Sequence, residues 1–115
     1  MNTAQTDSLL MVYCTCPDHE TALTMANGII DSGLAGCVNI VPGLTSVYRW
    51  EGKRQQGTEE LLLIKTTVNT YAALETHISR QHPYELPEIL AVPIDAGLPA
   101  YLDWVADSCT VSTRG

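Results

Sequence analysis

The longest strand candidate in the sequence is AGCVNIVPGLTSVYRW, residues 35–50, and it limits the possible folds more than any other segment. Strands in globular proteins average about 5–6 residues, so a strand of this length exceeds what one small sheet can pair. Proline within a strand is tolerated at a sheet edge or at a bulge. The segment therefore predicts a long edge strand that is bulged at Pro42-Gly43 and projects beyond its own sheet.

A second strand, TEELLLIKTT at residues 58–67, follows the glycine-bounded turn EGKRQQG at 51–57, and together these segments predict a hairpin. The continuous apolar centre of the second strand predicts burial on both faces. A projecting edge strand has unpaired backbone groups, and it pairs with another chain unless it is blunted. Because VYRWEG has few blunting residues, we expect self-association here, with Tyr48 and Trp50 in the interface. A solvated, twisted hairpin is the alternative.

The remaining segments predict two further strands and three helices. The first helix follows Pro17 and closes at Gly33, and the second begins at Asn69 as its cap and ends at Pro83. The order βαββαβ with an added helix is the split arrangement of the ferredoxin-like fold, an α+β sandwich with an antiparallel sheet and helices on one face. The predicted strands are SLLMVYCTC (8–16), the two strands of the hairpin and EILAVPI (88–94). The second and third predicted helices are NTYAALETHISRQH (69–82) and PAYLDWVADSC (99–109).

The length of 115 residues predicts a single domain, with flexible tails at residues 1–7 and 110–115. The 13 acidic and 6 basic residues give a formal charge of −7, which argues against a nucleic-acid partner. LLMVYC is too short for the apolar core of a signal peptide or for a membrane span, so we expect a cytoplasmic protein without a membrane partner. In that compartment the four cysteines stay reduced and serve as thiols or ligands.

Most of the chain is spanned by four stretches, CTCPD (14–18), LAGCVNIVPGLTSVYRWEGK (34–53), LLLIKTT (61–67) and HPYELPEILAVPI (82–94), together with YLDWV (101–105). These stretches resemble the CutA family, whose members are linked to divalent-cation tolerance. The resemblance implies a ferredoxin-like protomer, a homotrimer held by long strands paired between subunits, and binding of copper or another divalent metal ion. Two positions depart from the family pattern, since Cys16 stands where alanine or valine is common and Gly36 where alanine is frequent.

The segment HPYELPE places His82, Glu85 and Glu88 at intervals of three among prolines. Polyproline II has three residues per turn and aligns them on one face, but at about 3.1 Å per residue the outer two are too far apart for one ion. A site at His82 and Glu85 must therefore recruit another donor. Cys14 is the expected donor, because the first strand neighbours the last in this fold and thiolate with imidazole suits copper or zinc. The resemblance supports this choice, since Cys14 and His82 match family positions discussed as copper ligands.

Each candidate ligand also has a structural interpretation. Cys14, and even more so Cys16, can instead be small apolar residues of a buried strand. His82 stands where the end of a helix favours an imidazole. The two glutamates can instead pair with basic residues, namely Arg49, Lys53 or Lys65.

No nucleotide-binding, P-loop, Ser-His-Asp or zinc-deaminase pattern occurs in the sequence, so no enzymatic activity is expected. We expect a homotrimer that binds copper or a similar divalent cation and that buffers or senses the metal. The alternative is a trimer similar to the PII signalling proteins, with a small metabolite or anion bound between subunits near Lys53, Arg54 and Lys65. A purely structural trimer with incidental metal affinity is a third interpretation.

Overall fold

The computed structural model of the protein describes residues 8–110. The predicted order βαββαβ with a terminal helix is confirmed. Of the predicted flexible tails, residues 1–7 and 111–115 lie outside the described part, whereas the Thr110 N–H donates to the Gly33 carbonyl at 3.0 Å. The elements are β1 (Leu9–Cys16), α1 (His19–Asp31), β2 (Cys37–Trp50), β3 (Lys53–Thr67), α2 (Val68–Gln81), β4 (Leu90–Pro93) and α3 (Pro99–Ser108).

The four strands form one antiparallel sheet in the order β2-β3-β1-β4. β2 therefore lies at an edge, as its length predicts, and β1 neighbours β4. The ladder between β2 and β3 shifts register between Val41 and Leu44, which is the bulge predicted at Pro42-Gly43. These positions confirm the ferredoxin-like arrangement of the sheet.

The hairpin of β2 and β3 extends well beyond the rest of the sheet. β1 follows β3 only as far as the pair Cys16–Glu60, whereas β2 and β3 stay paired up to Trp50–Lys53. We call this two-stranded extension, residues 44–50 and 53–59, the ribbon. The turn predicted at 51–57 is wrong, because Glu51-Gly52 alone make it. Their φ angles of 51° and 79° suit a two-residue turn that matches the twist of paired strands.

One face of the sheet packs against α1 and α2 to form the core. The opposite face is only partly covered, since Leu61 and Leu63 of β3 are half-buried and Leu90 and Val92 of β4 are exposed. Within one chain the apolar run of β3 is therefore buried on one face, and not on both as predicted. The core side chains include Val12, Cys14, Cys16, Ala22, Met25, Ile29, Leu62, Ile64, Leu74 and Ile78.

The helix ends show where local chemistry sets the boundaries. Asp18 caps α1 by accepting a backbone hydrogen bond at 2.8 Å, and Gly33 follows the helix with a φ of 70°, as its position predicts. α2 is capped by Thr67, whose Oγ1 accepts the Thr70 N–H at 3.2 Å, so the prediction of Asn69 as the cap is wrong. The helix starts earlier because β3 runs directly into it, with Thr67 as both its last strand residue and the cap.

α3 packs closely against the start of β2 because residue 36 is a glycine. A Cβ atom on Gly36 would lie 2.9 Å from the Val105 Cα and 3.2 Å from the Val105 carbonyl oxygen. Val105 is the buried residue of α3, so this contact sets the distance between the helix and the sheet edge. None of the helices in residues 8–110 is long and apolar enough to cross a lipid bilayer.

Candidate metal centre

Two thiols and one imidazole converge in the core at the end of β1. Cys14 and Cys16 point to the same face because side chains alternate along a strand, and neither is exposed. His82 follows α2 as its C-terminal cap and is only 8% exposed. One donor atom of each residue lies within 4.8 Å of the other two. The structure thus brings together Cys14 and His82, the expected ligands, and adds Cys16.

This thiol–imidazole cluster fits a soft metal ion. Two atoms bound to one ion through bonds of about 2.0–2.3 Å stand up to about 4.6 Å apart, so the three donors are nearly close enough to share one ion. Thiolate and imidazole suit Cu(I) and Zn²⁺, whereas Mg²⁺ and Ca²⁺ take oxygen ligands. Within residues 8–110 it is the one group of three His, Cys, Asp or Glu donors close enough together to hold an ion.

The two thiols influence each other's protonation. The hydrogen bond between them raises the pKa of Cys14 above its ordinary value, and burial and the carboxylates of Glu88 and Glu59 raise it further. The same hydrogen bond lowers the pKa of Cys16. The pair therefore releases one proton more readily than the second, and a bound cation offsets the repulsion that opposes full ionisation.

Both ring nitrogens of His82 take part in hydrogen bonds. Nε2 lies 2.7 Å from the Thr15 carbonyl oxygen, and because a carbonyl only accepts, Nε2 is the donor. Nδ1 accepts the backbone N–H of Tyr84 at 3.1 Å. These partners assign the neutral ring with its proton on Nε2, and they fix the orientation of the ring beside the thiols.

Tyr84 connects His82 to an acidic cleft at the surface. The centres of the Tyr84 and His82 rings are 4.6 Å apart, and the Tyr84 hydroxyl donates to Glu59 Oε2 at 2.6 Å. Burial and this hydrogen bond raise the pKa of Tyr84, so the hydroxyl keeps its proton as a donor. The cleft has a volume of about 610 Å³ and lies between the ribbon and the segment after α2. Its lining includes Tyr48, Trp50, Glu59, Tyr84, Glu85 and Glu88.

Glu85 does not belong to the thiol–imidazole cluster. The chain bends through residues 83–86, so a straight polyproline II segment is not formed, and the exposed Glu85 lines the cleft instead. Tyr48 and Trp50 lie on the ribbon and are exposed within the single chain. The involvement of Glu85 in metal binding and that of the two aromatic residues in an interface stay predictions.

The other two cysteines lie elsewhere. Cys37 is half-buried at the start of β2, with Lys65 Nζ 3.7 Å from its Sγ. Cys109 is half-buried at the end of α3, where its Sγ lies 3.8 Å from Thr66 Oγ1. Both provide controls for experiments on Cys14 and Cys16.

The three basic residues considered for an anion site do not meet within one chain. Lys53 and Arg54 lie at the tip of the ribbon, whereas Lys65 is twelve residues further along β3, a separation of about 40 Å at the rise of an extended strand. Lys65 also donates to Asn39 on the neighbouring strand. A single chain therefore does not assemble these three cations into one pocket.

Two parts of the site were missed by sequence reasoning. The Thr15 carbonyl is a backbone group, and no side-chain pattern indicates it. Glu59 belongs to the predicted second strand of the hairpin, but its position beside Tyr84 depends on the bend of the segment after α2. Cys16 was not among the expected ligands, although its spacing of two residues from Cys14 on a strand indicates that both side chains lie on the same face.

Comparison with known proteins shows what the chain is similar to. The family model described as "CutA1 divalent ion tolerance protein" matches residues 10–108. "Protein CutA, chloroplastic" of Arabidopsis thaliana is 46% identical over 86% of this chain, which spans only 54% of that protein. "Divalent-cation tolerance protein CutA" of Thermus thermophilus is 46% identical over 85% of this chain and 95% of its own length.

Solved structures give the same result. The crystal structure of CutA1 from Oryza sativa has a TM-score of 0.89 and 46% identity, covering 91% of this chain and 96% of that one. The periplasmic divalent cation tolerance protein CutA from Archaeoglobus fulgidus has a TM-score of 0.85 and 35% identity, covering 88% and 98%. With the match over residues 10–108, these likenesses show that the chain belongs to the CutA1 divalent ion tolerance family.

Proposed function

We propose that this chain binds copper, held as Cu(I) by the thiols of Cys14 and Cys16 and the imidazole of His82, and thereby contributes to tolerance of metal ions. The observation that carries the proposal is the convergence of these three donors within 4.8 Å in the core. Relatives named divalent-cation tolerance proteins support a role related to metals. Glu85 is proposed as a helper at the surface cleft and not as a member of the cluster.

The donor set favours copper over other ions. Two sulfur donors and an imidazole are soft ligands that select Cu(I) or Zn²⁺. Structural zinc sites are almost always four-coordinate, whereas this cluster offers three donors in a buried environment. We place the protein in the cytoplasm, where thiols stay reduced and available as ligands.

The burial of the site suits storage of an ion. Both thiols are fully buried, so an ion held there is withdrawn from water and from reactive molecules. A catalytic metal site keeps an open position for water or substrate. We therefore propose binding and buffering of the metal, and no catalysis.

We also propose that three chains assemble through the ribbon and the open face of the sheet. The ribbon projects beyond β1, and β4 at the other edge is exposed along its whole length. Sheet edges with exposed apolar side chains are templates for pairing with another chain. Assembly would bury Tyr48 and Trp50 and complete the cover over the half-buried face of β3.

Competition with a Cu(I) chelator tests the metal proposal. The protein is expected to bind one Cu(I) per chain, and the double variant Cys14→Ala/His82→Ala is expected to lose this binding because two of three donors are gone. The matched control Cys37→Ala/Cys109→Ala removes two thiols outside the cluster and should retain it. Circular dichroism establishes that both variants are folded. Unchanged affinity in Cys14→Ala/His82→Ala would remove the proposal.

A further inference from the structure

We propose that Tyr84 is a positioning residue that holds His82 in a metal-free arrangement, and that loading of the cluster displaces Tyr84 from both His82 and Glu59. The inference rests on the proposed function, since it concerns how the same three donors accept an ion. Its basis is that both nitrogens of the His82 ring already have partners, Thr15 and Tyr84.

Coordination through either nitrogen breaks the hydrogen bond with Tyr84. Coordination through Nδ1 uses the lone pair that accepts the Tyr84 N–H. Coordination through Nε2 requires loss of the proton there, and a neutral ring then carries its proton on Nδ1. That proton would face the Tyr84 N–H, and two donors cannot bond to each other. The hydrogen bond between Tyr84 and His82 is therefore lost in both cases, which releases the backbone at Tyr84 to move.

The side chain of Tyr84 transmits this movement to the surface. Its ring lies against His82, and its hydroxyl donates to Glu59 Oε2 at 2.6 Å, a short bond to a charged acceptor. Tyr84 also lines the cleft, together with Trp50 and Tyr48 of the ribbon. A shift of the Tyr84 backbone therefore breaks or weakens the bond to Glu59 and changes the cleft that the ribbon borders.

The Tyr84–Glu59 bond thus favours the metal-free state over the loaded one. Loss of a hydrogen bond to a charged partner corresponds to about a tenfold or larger change in an equilibrium constant. Tyr84→Phe keeps the ring and the backbone N–H but removes the hydroxyl. We expect this variant to bind Cu(I) about tenfold more tightly than the unaltered chain.

The experiment is a Cu(I) competition titration of Tyr84→Phe, with Tyr71→Phe as its control. Tyr71 donates to Glu75 Oε2 at 2.9 Å on α2, so its variant removes the same type of bond away from the cluster. Hydrogen exchange of the Tyr84 amide, measured by NMR in the unaltered chain, provides a second readout. We expect the Tyr84 amide to be protected without Cu(I) and to exchange faster once Cu(I) is bound.

The outcomes separate this inference from the proposed function. Tighter binding by Tyr84→Phe, unchanged binding by Tyr71→Phe and faster exchange of the Tyr84 amide would support the inference. Cysteine-dependent Cu(I) binding with equal affinity in both variants, or with a Tyr84 amide that stays protected, would overturn the inference and leave the proposed function standing. Absence of Cu(I) binding by the unaltered chain would overturn both.

Discussion

At the scale of single residues, Cys16 decides the chemistry of the cluster. Cys14 and His82 alone offer one sulfur and one nitrogen, whereas Cys16 adds a second sulfur on the same buried face. The preference for Cu(I) that we propose follows from that second sulfur.

Replacement of Cys16 by alanine is expected to weaken Cu(I) binding by more than about 100-fold. Loss of a residue that only hydrogen-bonds to a metal ligand already lowers metal affinity roughly 10–100-fold, and loss of a ligand itself lowers it further. Chelator competition measures the change. Cys37→Ala also removes one thiol, but from outside the cluster, and should leave the affinity unaltered. Equal affinities for the two variants would mean that Cys16 is not a ligand.

The sequence indicates part of this site and not the rest. Strand alternation places Cys14 and Cys16 on one face, and the topology brings β1 beside the segment after α2. The spacing of His82 and Glu85 suggested shared ligation, but the bend through residues 83–86 leads Glu85 to the cleft. The orientation of His82 depends on two backbone groups, and these become visible only in three dimensions.

At the scale of the elements, two glycines respond to the same substitution in opposite directions. Gly36→Ala places a Cβ atom 2.9 Å from the Val105 Cα, so α3 must move and the free energy of unfolding should fall by roughly 1–3 kcal/mol. Gly28→Ala, inside α1, meets only the His77 ring at 3.4 Å, an ordinary contact. It should raise the free energy of unfolding by up to about 1 kcal/mol through helix propensity. Urea denaturation measures both, and a loss of stability in Gly28→Ala with none in Gly36→Ala would contradict this account of the packing.

The junction of β3 and α2 depends on the side-chain oxygen of Thr67. Thr67→Ala removes the acceptor of the Thr70 N–H and should lower the free energy of unfolding by about 1 kcal/mol. Thr67→Ser keeps an oxygen in the same place and should retain most of the stability. Denaturation midpoints of the two variants decide the point, and equal losses would exclude capping as the cause.

The elements were predictable where one physical rule acts alone. The strand length and Pro42-Gly43 predicted an edge strand with a bulge, and both are present. The turn after Trp50 was predicted too long, because the polar sequence after it gives no sign that it continues as β3. The pairing of this polar stretch with the apolar end of β2 is what extends the ribbon.

At the scale of the whole molecule, the single chain leaves surfaces that assembly would cover. Val92 lies in the edge strand β4, opposite Met11 of β1, and is 44% exposed. A lysine in an edge strand opposes pairing with another chain. Val92→Lys is therefore expected to shift the protein from the proposed trimer toward a monomer in light scattering at micromolar concentration.

A matched control is available on the opposite side of the protein. Leu23 in α1 is 45% exposed, and Leu23→Lys introduces the same charge on the helical layer. This variant should keep the mass of three chains of 12.5 kDa each. The same mass for Val92→Lys and Leu23→Lys would show that assembly does not use the β4 side of the sheet.

The half-buried face of β3 also explains why the sequence predicted more burial than one chain provides. A continuous apolar run is typical of a strand covered on both sides, and here the second cover is absent from the single chain. Our proposal of a trimer accounts for the difference.

The most direct test of the central claim is a crystal structure of the Cu(I)-loaded protein with anomalous data collected at the copper edge. The account predicts one anomalous peak per chain, bonded to the Sγ atoms of Cys14 and Cys16 and to the imidazole of His82. A peak at Cys37, at Cys109 or among the carboxylates of the cleft, with the thiol–imidazole cluster empty, would contradict it.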